Sequence, residues 1–180
     1  SGIDVLEFRR GSKIDGRLKL FPVTAVQQYV SELGLFLLPA SAQTTARPLE
    51  FRFFVVEDSS INASALPDGT VLVNTGLLGA VANEAQLAFA LSHEIAHALQ
   101  AHHWREVRET RGKRIGLIIA GLAGSAFIGD LSTFLAGLGM AAVVNGHTRR
   151  LENQADRLAV QNLIERGYDP REGPRALAMF

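Results

Sequence analysis

The chain has 180 residues, 47% hydrophobic and 20% charged, enough to bury one sizeable core, and it reads as a single domain over residues 1–180. Lysine plus arginine equals aspartate plus glutamate at 18 each, which leaves no summed field to draw in nucleic acid. Cysteine is absent, so disulfides, thiolate metal sites and cysteine nucleophiles are excluded together, and metal ligands are confined to His, Asp or Glu.

Ser1-Gly2 reads as a cloning scar, with no charged-then-apolar signal segment after it. Residues 22–38 place Val23, Val26, Val30 and Leu33 at helical spacings before Pro39, which predicts an amphipathic helix. Residues 51–57, rich in aromatic and branched side chains, and residues 70–74 predict two strands. Between them, Leu66-Pro67-Asp68-Gly69 predicts a turn, because Pro67 presets one dihedral and Gly69 accepts a positive one. A helix begins at Asn83, an N-cap with Gln86 three positions on, and carries apolar residues at 87, 88, 91, 95, 98 and 99.

Residues 115–144 are almost wholly apolar, with Asp130 near their middle. Each apolar half is shorter than the about 20 residues of a membrane span, and a central aspartate costs about 2.5 to 3.5 kcal/mol on insertion scales. The stretch therefore reads as two packed helices or a hairpin broken near Gly129-Asp130, serving as core, as a lid, or as a contact with a membrane or hydrophobic partner. A helix over residues 149–166 puts Ala155, Leu158, Ala159 and Leu163 on one face and stops at Gly167. Asp169-Pro170-Arg171-Glu172 predicts one more helix start, with Asp169 as N-cap and Glu172 as capping-box partner. The chain stops at Phe180, only about two or three turns later, which predicts a C-terminal truncation.

His93-Glu94-Ile95-Ala96-His97 is an H-E-x-x-H motif inside a predicted helix. At about 100° per residue its histidines sit about 40° apart and one turn along the axis, so both imidazoles can reach one cation. Glu94 flanks them and can take a proton from water at the metal without itself binding it. Histidines on a stretch shared with Leu91, Ile95 and Ala96 would be costly to bury unless their nitrogens had partners, and a metal supplies them.

A catalytic zinc takes three protein ligands and leaves a fourth position for water. His103 stands where an extended H-E-x-x-H-x-x-G-x-x-H motif has its last histidine, but Gln100 replaces the glycine that would break the helix. The helix should then continue, carrying His103 about 9 Å along the axis and about 120° round from His97, away from the same ion. Glu152 on the later helix is the better third ligand, and Asp156, four residues on, is placed to accept the other ring N–H of a ligating histidine. His147, Arg149, Arg150 and Arg157 flank that helix and are candidates for stabilising an oxyanion, with no one of them singled out.

Asn62-Ala63, Leu66 to Gly69, Val73-Asn74-Thr75-Gly76-Leu77-Leu78, the H-E-x-x-H block, Glu152 to Asp156 and Gly167-Tyr168-Asp169-Pro170 occur in this order. Together they resemble the CAAX-prenyl-protease-type zinc metallopeptidases, metallopeptidase family forty-eight, and most nearly their soluble, extracytoplasmic bacterial branch. The resemblance implies an α+β, mainly helical, zincin-like fold (a gluzincin) with a small sheet beside the motif helix. It implies one zinc per chain on His93, His97 and Glu152, with Glu94 as general base. It also implies that the segment Asn62, Ala63, Ser64 and Ala65 forms an edge strand that receives the polypeptide substrate; read alone, Asn62 and Ser64 are equally well turn formers. The expected function is metalloendopeptidase action in envelope protein quality control, in the periplasm or at a membrane. The rival is a chaperone-like binding module that keeps the metal behind a blocked cleft.

Overall fold

The computed structural model describes residues 5–10, 13–43, 48–66, 68–110 and 148–179, with the backbone alone described for residues 8–10, 13–16, 41, 43, 101–110 and 148–150. The apolar stretch 115–144 and His147 lie outside the described residues, as does Pro67 of the predicted turn.

The chain opens with an antiparallel hairpin, β1 (Val5–Arg10) and β2 (Lys13–Lys19), paired from Val5↔Lys19 to Arg10↔Lys13. Helix α1 (Thr24–Phe36) follows, then a 3-10 turn at Ala40–Gln43. Three strands, β3 (Arg52–Val56), β4 (Ala63–Ala65) and β5 (Thr70–Asn74), form a mixed sheet in the order β3-β5-β4, with β3 parallel and β4 antiparallel to β5. Four helices complete the described chain: α2 (Thr75–Ala80), α3 (Glu84–Thr110), α4 (Thr148–Glu165) and α5 (Glu172–Leu177). The architecture is thus mixed and mostly helical, as expected. No helix among the described residues is long and apolar enough to cross a membrane.

The central strand explains how the layers assemble. Every residue of β5 is buried, and alternation sends Val71 and Val73 to one face and Leu72 to the other. Val71 and Val73 join Val30, Leu33 and Leu37 of α1, Leu91 and Ile95 of α3, and Ala159 and Leu163 of α4 in the main core. Leu72 packs instead with Leu20 and Val56, against Leu6 and Leu18 of the hairpin. The outer edge of β3 is closed: the Val55 N–H donates to Gln27 Oε1, the Val55 carbonyl accepts from Gln27 Nε2, and Glu57 N–H reaches the Lys19 carbonyl. Among the described residues that leaves β4 as the open edge of the sheet.

Several local expectations hold and others shift. Leu66 and Gly69 close their turn with an N–H···O bond of 3.1 Å, and Gly69 takes φ +89, a value side chains resist. Asn83 caps α3 through Oδ1, which accepts the Gln86 N–H at 3.0 Å. Gln86, however, reaches back to the N–H of Ala82 rather than completing a box with Asn83. The last helix starts at Glu172, two positions later than Pro170, and Glu172 is no capping partner of Asp169: its carboxylate accepts Gln86 Nε2 at 2.7 Å. On α4, Leu158 does not join Ala155, Ala159 and Leu163 in the core but is 41% exposed, and Asn162 is buried on that face instead. Val23, expected on the apolar face of α1, is an exposed N-cap.

Candidate metal centre

Helix α3 runs unbroken from Glu84 to Thr110, through Gln100, so the chain does not turn back after His97 as the extended motif would require. The histidines therefore sit one turn apart on one continuous helix. Their rings stand 4.6 Å apart between centroids at 79°, with the two Nε2 atoms 3.0 Å from each other. Helix α4 crosses this face and brings Glu152 Oε2 to 3.4 Å from each of these nitrogens. One ligand atom from each of His93, His97 and Glu152 lies within 4.8 Å of the others, the one such group of acidic and imidazole side chains found among the described residues.

The donor set fits zinc. Ligands about 2.1 Å from a tetrahedral cation stand about 3.4 Å apart, and the three spacings here are 3.0, 3.4 and 3.4 Å. Burial, and after it the neighbouring His93, hold the His97 pKa below its ordinary value, which keeps a lone pair free for a metal. Asp156 lies behind His93, its Oδ1 3.0 Å from Nδ1, a short contact not yet aligned as a hydrogen bond.

Glu94 lies where α3 packs on β4, near the backbone of Ala65 at the end of that strand. Burial raises its pKa to about 8; the Ala65 backbone opposes that shift and the Glu152 charge adds to it. This link between the motif helix and the open edge was not legible in the sequence, since it runs through a backbone group. The pairing pattern along β4 is also informative. Asn74 N–H bonds the Asn62 carbonyl and Leu66 N–H the Thr70 carbonyl, so residues 62, 64 and 66 turn their backbone groups to β5. Residues 63 and 65 then turn theirs outward. Ser64 is buried with its hydroxyl unpartnered, Ala63 is buried, and Asn62 and Ala65 are half-buried. Arg157 is exposed, and the side chains of His102, His103, Arg149 and Arg150 are not described.

Residues 24–177 match the family described as Peptidase family M48. The chain is similar to the beta-barrel assembly-enhancing protease of Escherichia coli K12, 29% identical over 173 residues, which cover 92% of this chain and 34% of that protein. It is 32% identical to the protein of the same name from Yersinia pestis, over 83% of this chain and 32% of the relative. The mitochondrial metalloendopeptidase OMA1 of Arabidopsis thaliana is 31% identical over 70% of this chain and 25% of its own length. The chain thus spans about a third of the bacterial relatives it matches.

Proposed function

The chain belongs to peptidase family M48, and from that membership we propose that it is a zinc metalloendopeptidase with a zincin-like site, holding one zinc on His93, His97 and Glu152. The observation that supports this most is the convergence of two imidazole nitrogens and one carboxylate oxygen, from two helices, at spacings suited to a single cation.

When bound, zinc would supply a Lewis acid that makes a water acidic and polarises a carbonyl. The rest falls to the chain. Glu94 takes a proton from the attacking water and hands it to the departing amine, acting as base and then acid. The Ala65 backbone beside it favours the charged carboxylate at the edge strand, where the scissile peptide would lie. Asp156 orients His93 from its far nitrogen. The outward backbone groups of Ala63, and the Ala65 carbonyl, pair with an extended substrate, which is then read through its backbone more than its side chains. Asn62 and Ser64 hold β4 to β5 at either side of these contacts.

The relatives' printed names, a protease that enhances β-barrel assembly and a mitochondrial metalloendopeptidase, support a role in envelope protein quality control in a periplasmic or membrane-associated setting. The expected substrates are unfolded polypeptides. The test is cleavage of a permanently unfolded protein by the zinc-loaded chain. Wild type should cut it, and Glu94→Gln should retain zinc and lose cleavage by at least about a thousand-fold. Equal cleavage by Glu94→Gln contradicts the role given to Glu94, and no cleavage by wild type contradicts the proposal and favours a binding module.

A further inference from the structure

The site exists only while α4 keeps its register on α3, because His93 and His97 ride on one helix and Glu152 on the other. A slip of one residue moves Glu152 about 1.5 Å along the axis and swings it by about 100°. Apolar packing beside Glu152 gives weak resistance to such a slip. Of the apolar side chains that α4 buries, Ala155 and Ala159, nearest Glu152, are small, and the large one, Leu163, lies about three turns away. Between the helices a pocket of about 300 Å³, partly open to the surface, is lined by Ser92, Ile95, Ala96 and Leu99 of α3 and by Leu158 and Asn162 of α4. Small side chains beside a pocket make few interlocking ridges.

The connection across this gap is polar. Asn162 is only 7% exposed, and its Nδ2 donates to Ser92 Oγ at 2.9 Å and to the Leu37 carbonyl at 2.7 Å. A carbonyl only accepts, so the amide nitrogen and not Oδ1 has to face Leu37. Ser92 directly precedes the first metal-binding histidine, and Leu37 is the C-cap of α1. One turn further on, Arg166 Nη2 donates to the Leu38 carbonyl at 2.8 Å, a tie to α1 alone. A buried donor moved away from its acceptor loses both partner and water, so these bonds penalise a slip that small apolar contacts would tolerate.

We propose that Asn162 is the positioning residue that fixes α4 against α3 and so sets Glu152 opposite His93 and His97. The inference rests on the metal-site reading above. Its test is the zinc affinity of the metal-free chain, by competition with a chromophoric chelator, with the cobalt(II) spectrum and the thermal midpoint of the metal-free protein alongside. Among the described residues Asn162 Oδ1 has no partner, so Asn162→Leu gives up the two donated bonds there. It should weaken zinc binding about ten-fold or more and alter the cobalt bands. Ser92→Ala should act in the same direction, and it decides the matter if Asn162→Leu does not fold. Arg166→Leu should lower the midpoint and leave affinity within about two-fold, the behaviour of a structural tie. Wild-type affinity and spectrum in Ser92→Ala and in any folded Asn162→Leu would overturn the inference alone. A wild-type chain that binds no zinc would overturn the metal-site reading and the inference together.

Discussion

Oδ1 of Asp156 stands 3.0 Å from Nδ1 of His93, while Nε2 of the same ring faces His97 and Glu152. One imidazole thus has a carboxylate behind it and the candidate ligand atoms in front. An acceptor at Nδ1 favours the proton there and leaves the Nε2 lone pair for a metal. Replacing Asp156 with alanine should lower zinc affinity by about ten- to a hundred-fold without unfolding the chain. Chelator competition on the folded variant checks this.

The open edge makes a second prediction. Proline is tolerated on an edge strand where its nitrogen faces outward, and Ala63 is such a position. Ala63→Pro removes one backbone donor from the groove that a substrate strand would line. We expect kcat/KM on an unfolded substrate to fall about ten-fold, with zinc content unchanged. Steady-state kinetics beside metal analysis separate this from a damaged site.

A third concerns the start of the catalytic helix. Asn83 Oδ1 holds the Gln86 N–H, so Asn83→Ala should cost about 1 kcal/mol and lower the melting temperature by about 2 to 4 °C. Calorimetry checks it, and Asn83→Asp should restore most of the loss.

Stability should also depend on pH through Glu84, whose two carboxylate oxygens accept the hydroxyls of Tyr29 and Tyr168 at 2.8 and 2.6 Å. The bond from Tyr168, then that from Tyr29, lowers the Glu84 pKa from 4.5, so this contribution is present above pH 4.5 and lost as pH falls through the lowered value. Burial first, and the bond to Glu84 second, raise both tyrosines from 10.0 to about 12. Their contribution is therefore whole below pH 10 and lost as pH rises towards 12. The gap in melting temperature between wild type and Glu84→Gln should be widest between about pH 5 and pH 10 and shrink on either side. Thermal melts across that range are the check.

What the sequence disclosed follows from the range of each signal. His93 and His97 were legible because a shared metal needs ligands one helical turn apart, and that spacing is local. Glu152 was legible only beside the H-E-x-x-H motif and then the resemblance, since a helical carboxylate pair alone ordinarily marks a solvated face. Strand β4 is three residues long and mostly small, too short for alternation to show. The hairpin β1–β2 went unread although Leu6 and Phe8 alternate with charged neighbours, and α2 hid behind the two glycines of its six residues. Glu172 looked like a local cap but pairs with Gln86, 86 positions away, and Asn162 bonds across 125 and 70 positions. Such partners depend on tertiary packing, which no spacing rule reports.

The most direct measurement is metal content by mass spectrometry on protein purified without added zinc, comparing wild type with Glu152→Ala and His103→Ala. The account predicts close to one zinc per chain in wild type, retained in His103→Ala and lost in Glu152→Ala. Metal-free wild type, or zinc content indifferent to Glu152, would contradict it.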